Sequence, residues 1–208
     1  MTTTAGRRRN ADERRRELCD AAMQVLAEHG SRGLSHQRVD RSAGMPDGTT
    51  SYYYRTRAAL LHGVAERVAE IDTANLMSVC DEAPQPDSPF HGLAKLVVAQ
   101  AGGPGLALNK ARHELLLAAT RDPALAEFSR DFAQRILSVA HEAIAARQPE
   151  ADDPALRAAQ TTAVMTFISG VFTRYVNGDR SLSDPAELER LLQAIVVGIA
   201  VTAAEPSR

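Results

Sequence analysis

The sequence lacks the arrangements that commonly mark an enzyme or a metalloprotein. It has only two cysteines, Cys19 and Cys80, and neither belongs to a CxxC or Cys/His cluster, so we expect no zinc site. It contains no phosphate-binding glycine loop, no HExxH motif and no recognisable nucleophile–base pair. We therefore expect a protein that is not an enzyme, with no catalytic residues, no metal and no cofactor.

Long apolar runs are missing as well. No stretch approaches the ~20 apolar residues that cross a bilayer, and the N-terminus lacks the apolar core of a signal peptide. We therefore expect a cytoplasmic protein that makes no membrane contact. Alternating strand patterns and internal repeats are also absent, whereas helical periodicity recurs along the chain, which predicts an all-α fold.

Charge is distributed unevenly along the chain. The formal net charge is −2, but residues 1–57 carry 11 arginines against 7 acidic residues, so the remainder is acidic. A basic surface is what binding to a phosphate backbone requires. The clusters Arg7–Arg9 and Arg14–Arg16 fit either an arm that reaches DNA phosphates or a solvated tail.

The basic part has the spacing of a helix-turn-helix. One buried face of a first helix is predicted by Leu18, Ala21, Ala22, Val25 and Leu26. Gly30 and Gly33 end this helix, since glycine adopts left-handed backbone angles easily. Ser35 is a good N-cap for a second helix that ends before Gly44, and a third, short helix covers residues 47–53.

The short third helix has the composition of a DNA-contacting surface. Residues 49–53 carry hydroxyl and phenol groups, which favour helix formation poorly. The same groups suit phosphate oxygens and base edges. The pattern therefore favours a DNA-binding segment over a helical hairpin packed only for stability.

This segment resembles the helix-turn-helix of the TetR family of bacterial transcriptional regulators. The residues that carry the resemblance are Ala43-Gly44, Gly48-Thr49, Tyr52-Tyr53-Tyr54 and Arg57-Ala-Ala-Leu60-Leu61. The chain departs from the family pattern where a lysine becomes Asp47, a Leu-Tyr pair becomes Thr50-Ser51, and a second lysine becomes Arg57.

The resemblance implies both a domain organisation and a set of DNA contacts. It implies a three-helix DNA-binding domain with a basic arm over residues 1–57 and a larger helical effector-binding and dimerisation domain over residues 58–208. The residues that correspond to phosphate and groove contacts are Thr49, Tyr53 and Arg57. Those at the base-facing end of the recognition helix are Asp47, Gly48, Thr50 and Tyr52. The start of helix two, whose N–H groups can meet a phosphate, adds His36, Gln37 and Arg38.

Further helices are predicted beyond the helix-turn-helix. Helix four covers about 58–79 and precedes an acidic segment, 81–89, whose three prolines predict a linker. Helices follow at about 92–101, 106–120 and 124–147.

The last two helices, over about 163–176 and 188–201, are apolar on nearly every side and must therefore be covered on every side. A partner subunit is the expected cover, and the resemblance also implies a homodimer. The expected interface residues are Ala163, Gly170, Val171, Leu188, Leu192, Ile195 and Ile199.

A ligand pocket is expected among the middle helices. The candidate lining residues are Met77, Arg112, His113, Phe128, Phe132, Met165, Thr166, Phe167 and Phe172. The apolar members fit a core equally well, and Arg112 and His113 fit a pair with Glu114 or a helix cap. Few charges lie on these faces, which favours an apolar or aromatic ligand.

Together these patterns predict a DNA-binding transcriptional regulator. In this reading it is a homodimeric repressor, released from a double-stranded operator by a small-molecule effector. The alternative is a DNA-binding protein without a small effector, which is controlled by a protein partner or acts as a nucleoid-associated factor.

Overall fold

The computed structural model describes residues 4–81, 88–146 and 153–204, with side chains from Asn10 onward. Within these ranges the chain forms nine helices, which confirms the all-α class. They are α1 (Thr4–Gly33), α2 (His36–Ser42), α3 (Thr49–Tyr53), α4 (Arg57–Asp81), α5 (His91–Ala99), α6 (Gly103–Ala119), α7 (Pro123–Ala146), α8 (Pro154–Val176) and α9 (Pro185–Ala204). The side chains of the predicted arm Arg7–Arg9, and most of the predicted linker 81–89, lie outside the described residues. No helix in the described part of the chain has both the length and the apolar character of a membrane span.

The chain divides into two compact units. The first unit comprises Met1–Ile71 and Ala107–Ser129, and the second comprises Asp72–Leu106 and Arg130–Arg208. The first unit extends past residue 57 because the start of α4 supplies part of its core, including the buried Leu60 and Val64. The assignment of separate DNA-binding and effector-binding roles to the two parts of the chain stays a prediction.

The core of the first unit forms where the sequence pattern places it. The apolar face of α1 is buried through Leu18, Ala22 and Leu26, and it packs in one cluster with Val39 of α2 and Leu60 of α4. Burial of a leucine or valine side chain contributes about 1.5–3 kcal/mol. The same cluster includes residues of α6 and α7, which the sequence pattern did not connect with the N-terminal helices.

The predicted turns of the first unit are present. Gly30 has φ 65° and ψ 179°, which breaks α1 before its last turn. The N-cap of α2 is Ser35, whose hydroxyl accepts the Arg38 N–H at 3.3 Å. Gly44 follows α2 with φ 64°, the left-handed angle that glycine adopts without strain.

The core of the second unit lies between α5, α8 and α9. Its largest fully buried side chains are Phe90, Leu188, Leu192 and Tyr175, and the Tyr175 hydroxyl donates to the Leu182 carbonyl. Helix α8 begins at Pro154, well before the predicted start at residue 163. The prediction followed apolar residues only, whereas the first turns of α8 include polar side chains that are buried.

Candidate nucleic-acid interface and apolar pocket

The predicted recognition helix, α3, is a five-residue helix with Gly48 at its N-cap. Gly48 has φ 92° and offers no side chain to cap the helix. The turn before it is fixed by Thr49, whose hydroxyl donates to the Pro46 carbonyl at 2.6 Å.

A buried carboxylate of α2 holds the start of α3. Asp40 is 1% exposed, and its Oδ2 accepts the Gly48 N–H at 2.8 Å. Its Oδ1 accepts both the N–H of Thr50 at 2.7 Å and the hydroxyl of Thr50 at 2.5 Å. Thr50 is itself fully buried. The expectation that Thr50 faces the bases is therefore corrected, because its hydroxyl is committed to Asp40 inside the protein.

The accessible surface of the α3 segment is formed by other predicted residues together with Ser51, which is exposed but was not predicted. Asp47 and Gly48 are exposed, and Tyr52 is 80% exposed. Tyr53 is half-buried, and the guanidinium of Arg15 lies 5.7 Å from the centre of its ring. A ligand at this surface would meet the Asp47 carboxylate, the Gly48 backbone and the phenol groups of Tyr52 and Tyr53.

The start of α2 is only partly available to DNA. The Nε2 atom of His36 lies 2.6 Å from the Tyr54 carbonyl oxygen, which can only accept, so this ring nitrogen donates. Gln37 and Arg38 are exposed, and Arg38 also donates to the Gly33 carbonyl at 2.8 Å. His36 therefore joins α2 to the end of α3, and its two neighbours face solvent.

Arg57, at the start of α4, is exposed and tied to the end of α1. Its guanidinium donates to the Ser31 carbonyl. The N–H of Ser31 donates to the carboxylate of Glu114 in α6 at 2.6 Å. The sequence offered Glu114 only as a partner for Arg112 and His113. Its bond to Ser31 was missed, because the two residues lie 83 positions apart and no local pattern connects them.

Tyr54 is buried, and its hydroxyl has a specific partner. Its oxygen lies 3.1 Å from the Cys19 sulfur in α1. Burial, the largest cause, raises the pKa of the Cys19 thiol to about 11 and outweighs the opposing hydrogen bond from Tyr54. The thiol therefore stays protonated at neutral pH and acts as a small core residue.

The predicted ligand residues are divided between the two units. Arg112, His113 and Phe128 lie in the first unit, where His113 bonds the Asn109 carbonyl of its own helix at 2.9 Å. Phe128 packs against His62 with ring centres 5.1 Å apart. The candidates in the second unit are Met77, Phe132, Met165, Thr166, Phe167 and Phe172.

The second unit contains an apolar pocket among α4, α5, α7 and α8. Its lining residues are Leu76, Val79, Phe90, Leu93, Ala140, Ala143, Ile144, Val164 and Met165. Met165 is the one predicted residue among them, whereas Met77 and Thr166 are exposed. Its cavity volume of about 10 Å³ is the room of about one water molecule.

Some of the predicted interface residues face the core of the second unit, and the others lie on the more exposed faces of α8 and α9. Val171, Leu188 and Leu192 are buried in the core of the second unit, so their assignment to an interface is corrected. Ala163, Ile195 and Ile199 are half-buried, and Gly170 is exposed. Large apolar side chains that face solvent on α9 are Leu191, Val197 and Val201.

Comparison with known proteins identifies the family. A family model described as the tetracyclin repressor-like C-terminal domain matches residues 84–198. No curated protein sequence matches the chain significantly. Several solved structures share its fold.

The chain is 25% identical to a TetR-family protein from Streptomyces coelicolor A3, over 88% of this chain and 98% of that one, with a TM-score of 0.65. It is 26% identical to the multidrug binding protein EbrR complexed with ethidium, over 88% and 98% of the two chains, with a TM-score of 0.59. The fatty acid degradation regulator FadR from Bacillus halodurans shares the fold at 18% identity, over 89% and 95%, with a TM-score of 0.71. Since the family model covers more than half of the sequence, the chain belongs to the TetR family of transcriptional regulators.

Proposed function

We propose that the protein is a homodimeric transcriptional repressor that a small apolar effector releases from a double-stranded operator. The observation that carries this proposal is the continuity of α4. Leu60 and Val64 belong to the core that supports the helix-turn-helix, and Leu76 and Val79 of the same helix line the pocket. A ligand that widens the pocket would act directly on the helix that begins with Arg57.

The chemistry of the pocket favours an apolar or aromatic effector. Every lining side chain is apolar, so a polar ligand would lose its hydration without gaining hydrogen bonds. EbrR is described in complex with proflavin and with ethidium. Both are flat aromatic cations, so the comparison supports an aromatic effector and not an absence of charge. Because the cavity has little free room, the effector must select or create a wider state, and this difference supplies the coupling to DNA binding.

Dimerisation is supported by the surface of α9. Val197 and Val201 lie one turn apart on the same face of α9 and are both more than half exposed. Apolar side chains grouped on one helix face are typical of an interaction surface. A dimer would present two helix-turn-helix segments to two half-sites of one operator.

The small cavity also favours a second candidate function. A pocket with room for about one water molecule fits a DNA-binding protein that has no small effector. Such a protein would be controlled by a protein partner or would act as a nucleoid-associated factor.

A selection of bound duplexes from a random pool, followed by displacement with a panel of apolar and aromatic compounds, tests the proposal. At least one compound should lower the affinity of the protein for the selected duplex. Leu93→Trp should occupy and widen the pocket as the effector does, so its affinity for the selected duplex should fall and added compound should have no further effect. Leu137→Trp is the matched control, because Leu137 is exposed and does not line the pocket.

One outcome of this experiment distinguishes the two candidate functions, and another tests whether the compound binds in the pocket. If no compound changes the affinity for the selected duplex, the proposed release by an apolar or aromatic effector is contradicted and the second candidate function is favoured. If Leu93→Trp and Leu137→Trp respond equally to a compound, that compound binds elsewhere.

A further inference from the structure

The N-terminus of the predicted recognition helix, α3, lacks a side-chain acceptor from its own N-cap residue. The first N–H groups of any helix have no partner within that helix. A Ser, Thr, Asp or Asn side chain at the N-cap usually accepts one of them. In α3 the N-cap is Gly48, which makes no side-chain hydrogen bond.

Asp40 supplies the missing acceptor from another helix. Its two carboxylate oxygens accept the N–H groups of Gly48 and Thr50 and the hydroxyl of Thr50, at 2.5–2.8 Å. Hydrogen bonds to a charged acceptor are roughly twice as strong as neutral ones. The side chain is nearly inaccessible to solvent, so these three donors replace the water that the charge has lost.

We propose that Asp40 is a positioning residue for operator recognition. It fixes the orientation of α3 relative to α2 and thereby aims the exposed Tyr52 at base edges, without itself touching DNA. This inference rests on the proposed operator binding. Base contacts need well-aligned hydrogen bonds, whereas phosphate contacts carry no sequence information. Loss of Asp40 should therefore reduce sequence discrimination more than it reduces general DNA affinity.

The pairing also accounts for Thr50, where the family pattern has leucine. A buried threonine hydroxyl needs a partner, and Asp40 provides it at 2.5 Å. The two residues form one polar unit that joins α2 to α3, and each satisfies the other inside the core. Without Asp40 the buried Thr50 hydroxyl would lose its partner, whereas without that hydroxyl Asp40 would keep two backbone N–H donors.

The test compares the affinities of the full-length protein for a duplex selected by the wild type and for a scrambled duplex of the same length. Asp40→Asn keeps the shape but replaces one acceptor oxygen with an amide that cannot accept. We expect its affinity for the selected duplex to fall about tenfold, the effect of losing one hydrogen bond to a charged group. The affinity for the scrambled duplex should stay within about twofold, since phosphate contacts are retained. Glu127→Gln, which removes one exposed negative charge of the first unit, corrects for the change in net charge.

The ratio of the two affinities keeps the test valid if a variant is partly unfolded. A merely structural role lowers both affinities in proportion to the folded fraction, and the ratio does not change. Thr50→Val removes only the hydroxyl and should lower the ratio less than Asp40→Asn does. The double variant Asp40→Ala/Thr50→Val removes both buried polar side chains, so it should be thermally more stable than Asp40→Ala. Its ratio of affinities for the selected and scrambled duplexes should stay below that of the wild type.

Two results would overturn the inference, and only the second would also overturn the proposed operator binding. If the wild type discriminates between the duplexes and Asp40→Asn discriminates equally well, Asp40 has no positioning role and the proposed operator binding stands. If the wild type itself shows no preference, the proposed operator binding fails and the inference fails with it.

Discussion

The backbone N–H of Ser31 donates a 2.6 Å hydrogen bond to the carboxylate of Glu114, which joins α6 to the end of α1 within the first unit. Gly30, immediately before Ser31, has φ 65°, and a Cβ atom there would lie 3.3 Å from the same carboxylate. The contact therefore depends on a glycine turn and on an acidic residue far away in the sequence. Because Ser31 also accepts a hydrogen bond from Arg57, the three residues connect α6, α1 and α4.

Glu114→Ala should destabilise the first unit. It removes the charged acceptor of a half-buried N–H, and such losses cost about 1–3 kcal/mol. Urea unfolding followed by circular dichroism measures the effect. Glu127→Ala on α7 is the matched control, since Glu127 is exposed and should change stability by less than about 0.5 kcal/mol. Equal stability of the two variants would show that the bond to Ser31 contributes nothing.

Stability of the first unit should fall at alkaline pH. Burial raises the pKa of the Cys19 thiol from its ordinary value of 9.0 to about 11, so the unfolded chain loses this proton first. The stabilisation is complete below about pH 9 and is lost as pH rises towards about 11. Tyr54, whose pKa is also raised by burial, acts in the same direction at higher pH. Unfolding free energies between pH 8 and pH 11 should show a weaker decline in Cys19→Ala and an unchanged decline in Cys80→Ala.

Tyr52→Ala should lower sequence discrimination without affecting the fold. Tyr52 is 80% exposed, so its removal costs little packing. A direct base contact contributes about 1–3 kcal/mol of discrimination. Arg57→Ala should instead weaken binding to selected and random duplexes alike, because a phosphate contact carries no sequence information. Band-shift titrations of both variants decide the matter, and identical behaviour would mean that these roles are misassigned.

Val197→Asp should separate the proposed dimer into folded monomers. Val197 is 51% exposed, so a charge there meets solvent in the monomer and an apolar surface in the dimer. Val171→Asp should instead unfold the second unit, because Val171 is 2% exposed. Sedimentation measures the association and circular dichroism measures the fold. A dimeric Val197→Asp variant would place the interface elsewhere.

The long helices could be predicted from the sequence because their signals are local. Helix four was predicted over about 58–79, and α4 covers Arg57–Asp81. The start of α8 was placed too late, since Gln160 is polar but fully buried, with its amide donating to the Val196 carbonyl at 2.9 Å. Apolar periodicity does not detect a residue that is buried through a hydrogen bond.

The candidate DNA-binding segment could be located from the sequence, but the roles of its residues could not all be assigned. Asp40 lies between Val39 and Arg41, and nothing local distinguishes it from a solvated acidic residue. Its function depends on three donors that the turn brings to it from residues 48–50. Thr50 was misassigned for the same reason. Such pairings form only in the folded chain and leave no local pattern in the sequence.

Binding of the full-length protein to the selected duplex at increasing salt concentration tests the central claim most directly. If the basic first unit of a dimer binds operator DNA, log K should fall linearly with log salt, by about 0.9 per neutralised phosphate and several units in total. The selected duplex should also be bound at least about 10³-fold more tightly than a scrambled one at physiological salt. An affinity that is the same at low and physiological salt, or the same for both duplexes, would contradict the account.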